Sequence, residues 1–282
     1  MGLAFALMWS SAFTSARIIV ADAPPLLALA LRFAISGALA VGVAAALGQT
    51  WRMGREQWRA TVVFGLCQNA LYLGLNFIAM QTVEAGLAAI IASSLPLWVT
   101  LVGWLGLGER QRPLGLIGLG AGCIGGLMVM GPRLSDGVDA VGVALCIVGV
   151  LALTVATLSV KGATAGGNLL MIVGLQMWVG AGALALAGFA FETPEFEPSW
   201  RLAAAFTYTV IVPGLAATWV WFMLVNRVGM VRASTFHFLN PFFGVAIAAV
   251  LLGEVLRPLD LVGVAVIMAG ILAVQRSKLA GG

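Results

Sequence analysis

Apolar residues in this chain come in long blocks rather than in the alternating rhythm of half-buried strands. Ten blocks approach the ~20 residues that a bilayer-crossing helix needs, at roughly 2–20, 25–47, 59–80, 83–105, 112–131, 138–160, 168–191, 201–225, 231–252 and 258–276. Charged residues are concentrated in the short connections between them. Helix punctuation agrees with the blocks. Pro24 and Pro25 open the second, Pro113 the fifth and Pro258 the tenth, and a first-turn proline gives up an amide that has no intrahelical partner anyway. No soluble domain or low-complexity tail interrupts the series. The pattern predicts an all-α integral membrane protein with ten transmembrane helices.

Two stretches share one skeleton. Pro96 to Pro113 and Pro241 to Pro258 each begin with proline, carry Leu-Gly-Glu near the end and close on proline. Sliding one half of the chain onto the other by that interval also aligns Phe77 with Phe222, Gly118 with Gly263 and Gly125 with Gly270. The chain therefore divides into two five-helix units, 1–132 and 133–282. An odd number of crossings makes the second unit enter the membrane from the opposite side, which is the inverted-repeat (5+5) layout of secondary transporters. Rows of small residues in the fifth and tenth blocks (Gly118, Gly122, Gly126 and Ala265, Ala269, Ala273) suit close helix packing within the bundle. A monomer is favoured, with a dimer as the alternative use of those rows.

Composition narrows the solvent and the chemistry. The chain is 61% hydrophobic and 9% charged, against about a quarter charged for a soluble domain. The net charge of +4 is spread over short loops, so it is no nucleic-acid footprint. With the N-terminus inside, the inner loops hold Arg52, Arg55, Arg59, Arg110, Arg112, Lys161, Arg227, Arg232, Arg276 and Lys278. The outer side holds Arg17, Arg133, Arg201 and Arg257, and most acids, among them Asp136. That asymmetry predicts two cytoplasmic termini. Cys67, Cys123 and Cys146 lie in apolar blocks without metal-ligand spacing and read as small interior side chains. One histidine and no mid-span acid argue against a membrane enzyme, a metal site or a cofactor, and remove the usual carboxylate carrier of a proton-coupled pump. Facilitated transport, or weak coupling through His237, is expected instead.

Polar and aromatic side chains at membrane depth are the candidate chemistry, because each costs free energy unless it is satisfied or faces a cavity. Asn69, Tyr72 and Asn76 fall at i, i+3 and i+7, one helical face, and read as a cavity wall that hydrogen-bonds a zwitterion. His237 and Asn240 flank Pro241. That proline and Pro96 each free a carbonyl, and both read as kinks used in gating. Ser93, one turn before Pro96, is placed on the path. Of nine tryptophans, Trp51, Trp58 and Trp200 lie near block ends as interfacial anchors. Among the deeper ones, Trp9, Trp178 and Trp219 are expected to stack on substrate. Arg32 is expected in a structural ion pair with Asp22 or Glu84, with a substrate-carboxylate site as the alternative, and Arg17 is expected to snorkel outward.

Trp9-Ser10-Ser11-Ala12-Phe13, Arg17, Pro24-Pro25 and Arg32-Phe33, with the two Pro…Gly-Glu…Pro stretches, resemble EamA-type members of the drug/metabolite transporter superfamily. The resemblance covers essentially the whole chain. It implies ten helices, a central cavity and export of small metabolites across the bacterial inner membrane. The aromatic residues are also similar to those of the family's aromatic amino acid exporter. Neutral hydrogen-bonding groups beside aromatic side chains suit an amino acid better than a lipophilic cation, which favours a buried carboxylate. A small-molecule substrate and membrane lipid are the expected partners.

Overall fold

The computed structural model describes residues 1–108, 112–135, 137–159, 168–228 and 235–279, and these are helical throughout, with short connections and no strand. Nine of their helical segments are long and apolar enough to cross a membrane, and a shorter one covers Phe236–Leu252. Arg110, Asp136, Lys161 and Arg232, which entered the charge pattern, and Glu109 of the duplicated Leu-Gly-Glu lie outside the described residues.

In chain order the helices are α1 (Gly2–Asp22), α2 (Pro25–Ala46), α3 (Arg55–Ala79), α4 (Ala85–Ser93 continued by Leu95–Leu107) and α5 (Pro113–Ser135). Then follow α6 (Ala140–Ser159), α7 (Leu169–Phe191), α8 (Trp200–Thr209, Val210–Ala216 and Ala217–Val228), α9 (Asn240–Leu252) and α10 (Pro258–Leu279). Pro25, Pro113 and Pro258 each open a helix, where the missing amide costs nothing. Gly108 and Gly253 close α4 and α9 in the left-handed conformation (φ +68° and +70°), which glycine adopts without a Cβ clash.

Side chains from distant loops cap several helix ends. Both carboxylate oxygens of Glu254 accept from the first amides of α4, Ala85 N at 2.7 Å and Gly86 N at 2.9 Å. Glu192 does the same for α2, accepting from Leu26 N at 2.8 Å and Leu27 N at 3.0 Å. A carboxylate there satisfies orphan donors and meets the positive end of the helix dipole. Arg17 donates to the Met80 carbonyl at the end of α3 and so caps that helix. Ser199 joins the N-terminus of α8 to Asp22 (2.7 Å), and Thr82 donates to Asp139 (2.6 Å) before α6. These bonds gather the acid-bearing connections at one end of the bundle. Thr50 N bonded to Asn168 Oδ1 (3.2 Å) and Met171 N to Gln49 Oε1 (3.0 Å) tie connections at the other.

Two helix pairs carry the most extensive contacts, α5 on α10 and α2 on α7. In the first pair a Cβ at Gly118 would stand 2.7 Å from the Gly270 carbonyl, and one at Gly125 would stand 2.8 Å from that of Gly263. Backbones this close exclude any side chain. The partner row in α10 is therefore Gly263 and Gly270. Ala265 and Ala269, expected there from their spacing, are exposed.

Four transmembrane segments depart from α geometry. α3 widens into a π-helix over Gly65–Tyr72, and α8 does so over Val210–Ala216 around Pro213. α4 breaks at Ser94, just before Pro96. α9 is preceded by a 3₁₀ turn, Thr235–Leu239, in place of the α-helix expected from residue 231, of which 231–234 lie outside the described residues. π-bulges occur frequently at functional sites.

Candidate functional site

The helix breaks decide where the polar residues go. Asn69, Tyr72 and Asn76 are all buried, but they do not line one face. The π-turn bonds i to i+5 and so rotates the downstream residues relative to an α-helix. Asn69 turns to α7, where Nδ2 donates to the Gln176 carbonyl at 3.0 Å. Asn76 and Tyr72 press on α6 instead. Asn76 Nδ2 donates to the Tyr72 carbonyl at 2.7 Å, and a Cβ at Gly149 would stand 2.8 Å from that nitrogen. Asn76 Oδ1 is buried without a donor. The expected single wall is thus split between two helix interfaces.

Ser93 bonds its own helix, Oγ to the Ala89 carbonyl at 2.6 Å. Trp178 is 44% exposed, and its indole N–H donates to the Ala34 carbonyl of α2 (3.2 Å), pinning α7 to α2. Trp219 is 64% exposed. These three stand apart from the remaining candidates. Arg32 also departs from expectation. Asp22 is engaged by Ser199, and Arg32 forms no ion pair with an acid of the described residues.

Trp9, His237 and Asn240 do come together, at the start of α9. His237 sits at the centre of an aromatic set. Its ring meets Phe5 edge-on (centroids 5.1 Å apart, 88°), Trp9 edge-on (6.0 Å, 88°) and Trp221 at 5.2 Å. Phe5 also stacks obliquely on Trp221 at 4.9 Å and lies 5.6 Å from Trp9. Edge-to-face contacts of this kind match the ring quadrupoles. α1 supplies Phe5 and Trp9 one turn apart, and α8 supplies Trp221. Phe5 and Trp221 were not among the residues expected to meet substrate. The spacing of Phe5 and Trp9 (i, i+4) was the available signal for the first.

Asn240 ties this set to the helix break. Its Nδ2 donates to His237 Nδ1 at 2.9 Å, which leaves the imidazole hydrogen on Nε2. Ser10 of α1 donates to the Asn240 backbone carbonyl at 3.3 Å. Asn240 Oδ1 is buried and accepts no hydrogen bond. With Nδ2 on the imidazole, the orphan atom of the amide is its oxygen, an acceptor. Pro241 directly follows, so the bend, the histidine and the unpartnered amide share one helical turn. Next along α1, Tyr208 of α8 donates to Ser11 Oγ at 2.8 Å. The arrangement offers neutral donors and acceptors inside an aromatic surround, with no carboxylate in it.

A separate cavity of about 860 Å³ lies between α2, α7 and α8, lined by Leu27, Leu31, Ala34, Ala185, Phe189 and Phe206 among others. Its walls are almost wholly apolar and include none of the polar candidates. Among the described residues no three His, Cys, Asp or Glu side chains are grouped so as to hold a metal ion.

Comparison with known proteins accounts for this architecture. The model of the EamA-like transporter family matches residues 1–131 and 140–275. Uncharacterized transporter YvbV of Bacillus subtilis is 26% identical over 273 residues, 95% of this chain and 88% of its own length. Uncharacterized inner membrane transporter YedA of Escherichia coli K12 is 25% identical over 289 residues, 98% of this chain and 90% of its own. A solved crystal structure superposes with a TM-score of 0.67 at 20% identity, over 100% of this chain and 97% of that one, and so shares the fold. The chain belongs to the EamA-like transporter family and is a multi-pass membrane transporter.

Proposed function

We infer that this transporter exports small metabolites, amino acids foremost and aromatic ones above others, from the cytoplasm across the bacterial inner membrane. The observation that carries the reading is Asn240. Its buried, unpartnered amide oxygen lies beside an aromatic set made by Phe5, Trp9, Trp221 and His237. An unsatisfied acceptor at membrane depth is costly, and an ammonium group would satisfy it while the rings take up an aromatic side chain. A lipophilic-cation exporter fits less well. The buried acid among the described residues is Asp260, in the first turn of α10, where it accepts from the Arg257 amide at 3.3 Å.

Two inverted units, 1–132 and 133–282, which together make ten membrane crossings, support alternating access. The two family-model matches fall on either side of that boundary. The contacts are reciprocal across it as well. Gly118 meets Gly270 and Gly125 meets Gly263, while Gly118 and Gly263, and Gly125 and Gly270, are the pairs aligned by the repeat. Such self-complementary contact is the mark of a twofold relation. Pro96 and Pro241 stand at equivalent breaks and serve as the bends about which α4 and α9 move. With the basic end in the cytoplasm, both termini are cytoplasmic.

The test is a competition panel against labelled phenylalanine uptake in proteoliposomes. Aromatic amino acids should compete best, and Asn240→Leu should lower uptake roughly tenfold, the loss expected when one hydrogen bond to a charged group disappears. Failure of every amino acid to compete would remove the reading.

A further inference from the structure

Arg32 is a charge inside a membrane helix with no counter-charge among the described residues. It sits two turns into α2 and is 7% exposed. Its Nε has no hydrogen-bond acceptor, and the Oγ of Ser36, one turn further along α2, has no partner either. The ring of neighbouring Phe33 lies against the guanidinium, 5.1 Å from Cζ to centroid.

The elements around it leave further polar atoms without partners. α2 packs on the π-helical segment Val210–Ala216 of α8, and α1 packs on the same segment, whereas α1 and α2 barely touch each other. A Cβ at Gly214 would stand 3.1 Å from the Thr209 carbonyl, 3.5 Å from Ser36 Oγ and 4.0 Å from an Arg32 Nη. Gly214 thus brings the π-helical segment of α8 beside both α2 side chains. Pro213, beside it, has no amide to offer the carbonyl of Thr209, which is how the π-turn is tolerated. On α1, Thr14 Oγ1 is a second buried hydroxyl without a partner. By helix rise, Thr14 lies about 12 Å from the α1 end at Asp22, and Arg32 about 10 Å from the α2 start at Pro25, so the two stand at similar depth. The apolar cavity lies on the other side of α2, lined by Ala30, Leu31 and Ala34, and its lining does not include Arg32.

We propose that Arg32, with Ser36 beside it and the α8 π-turn opposite, binds the carboxylate of the transported molecule. The guanidinium is a planar fork that matches a carboxylate and is less strongly hydrated than an ammonium, so it tolerates a dry site. The carboxylate would take the Nε and Nη donors and the Ser36 hydroxyl. This deepens the amino acid reading, yet it separates from it, since Arg32 needs only the carboxylate and Asn240 only the amine.

The experiment uses the full chain in lipid nanodiscs and measures ligand binding by isothermal calorimetry. The probes are phenylalanine, phenylalaninamide, 3-phenylpropionate and 3-phenylpropionamide. In the wild type each acid should bind about tenfold or more tighter than its amide, the margin of a charge-assisted bidentate contact. Arg32→Gln should abolish that margin while the amides bind as before, and Ser36→Ala should reduce it in a protein whose charge is unchanged. Equal affinity of acid and amide in the wild type overturns the proposal, and binding of phenylalanine with that equality leaves the amino acid reading standing. Binding of 3-phenylpropionate but not phenylalanine, lost in Arg32→Gln, upholds Arg32 and sinks the amino acid reading. Absence of binding by both acids overturns the Arg32 site outright, and the wild-type comparison decides it even where a variant fails to fold.

Discussion

Trp219 and Trp221 are two residues apart on α8, and that spacing turns their side chains to opposite sides of the helix. Trp221 meets Phe5 and His237, whereas Trp219 is largely exposed. Trp221→Ala should therefore lower phenylalanine uptake per folded transporter by roughly tenfold, in line with the loss of an aromatic contact and its burial. Trp219→Ala should leave it within about twofold, the scatter expected of a surface change. Equal effects would show that the aromatic set is not on the substrate path. The chemistry of this site was legible in residue types. His237, Asn240 and Trp9 stand out as polar or amphipathic groups at membrane depth. What the sequence does not carry is the rotation of each helix about its axis, because apolar blocks have no polar face to register it. Trp178 and Trp219 stand apart from the set around His237 for that reason. A second residue-scale consequence concerns Asp139, at the exposed end of α6. The Thr82 hydroxyl, and then the Gly142 and Val141 amides, hold its carboxyl below the usual range. A depressed carboxylate contributes stability above its ordinary pKa and loses it as pH falls through the folded value. In Thr82→Ala the carbonyl-carbon NMR titration of Asp139 should move its midpoint up toward the ordinary value. An unmoved midpoint would assign the shift to the backbone amides alone.

At the scale of elements, the blocks and their proline boundaries set out nearly every helix, and the structure changes their interiors. Nothing in Gly65–Tyr72 announces a π-turn, and there the Asn69–Tyr72–Asn76 stripe is split between α6 and α7. Pro213, in contrast, was a visible warning for the break in α8. The small-residue rows were half legible, since Gly118 faces α10 and the Gly122 backbone abuts Gly270, though a Cβ at Gly122 would meet Leu97 of α4, and Gly126 has nothing within 4 Å of a Cβ. That difference is testable. Gly118→Leu must push α5 off the Gly270 carbonyl and should cost about 1–3 kcal/mol, as overpacking does, seen as a lower midpoint in detergent thermal unfolding. Gly126→Ala should be neutral within about 0.5 kcal/mol. Matching melting points for the two variants would mean that α5 and α10 are not packed backbone to backbone. Glu254→Gln keeps an acceptor for Ala85 and Gly86 but removes the charge from the α4 N-terminus, and should cost about 0.3–1 kcal/mol in the same measurement.

For the whole molecule, hydropathy and the duplicated Pro…Gly-Glu…Pro stretches announced a helical membrane transporter, because a bilayer leaves few other ways to satisfy a backbone. The duplicated motif itself separates into two jobs. Gly253 ends a helix, Glu254 caps the start of another, and Pro258 begins the next. Pro96 and Pro241 lie at the breaks instead, and Pro241 adjoins the candidate site. Substrate class is the part that composition and periodicity never reach, since it depends on which few polar atoms the bundle leaves unpartnered. The central claim is that those atoms select an amino acid. The most direct measurement is counterflow in proteoliposomes preloaded with unlabelled phenylalanine, with labelled phenylalanine outside and no ion gradient. We expect transient accumulation of label that persists when a pH gradient is imposed and then collapsed, and that is absent from protein-free vesicles. No accumulation with phenylalanine or any other amino acid inside, while a lipophilic cation such as tetraphenylphosphonium does exchange, would contradict it.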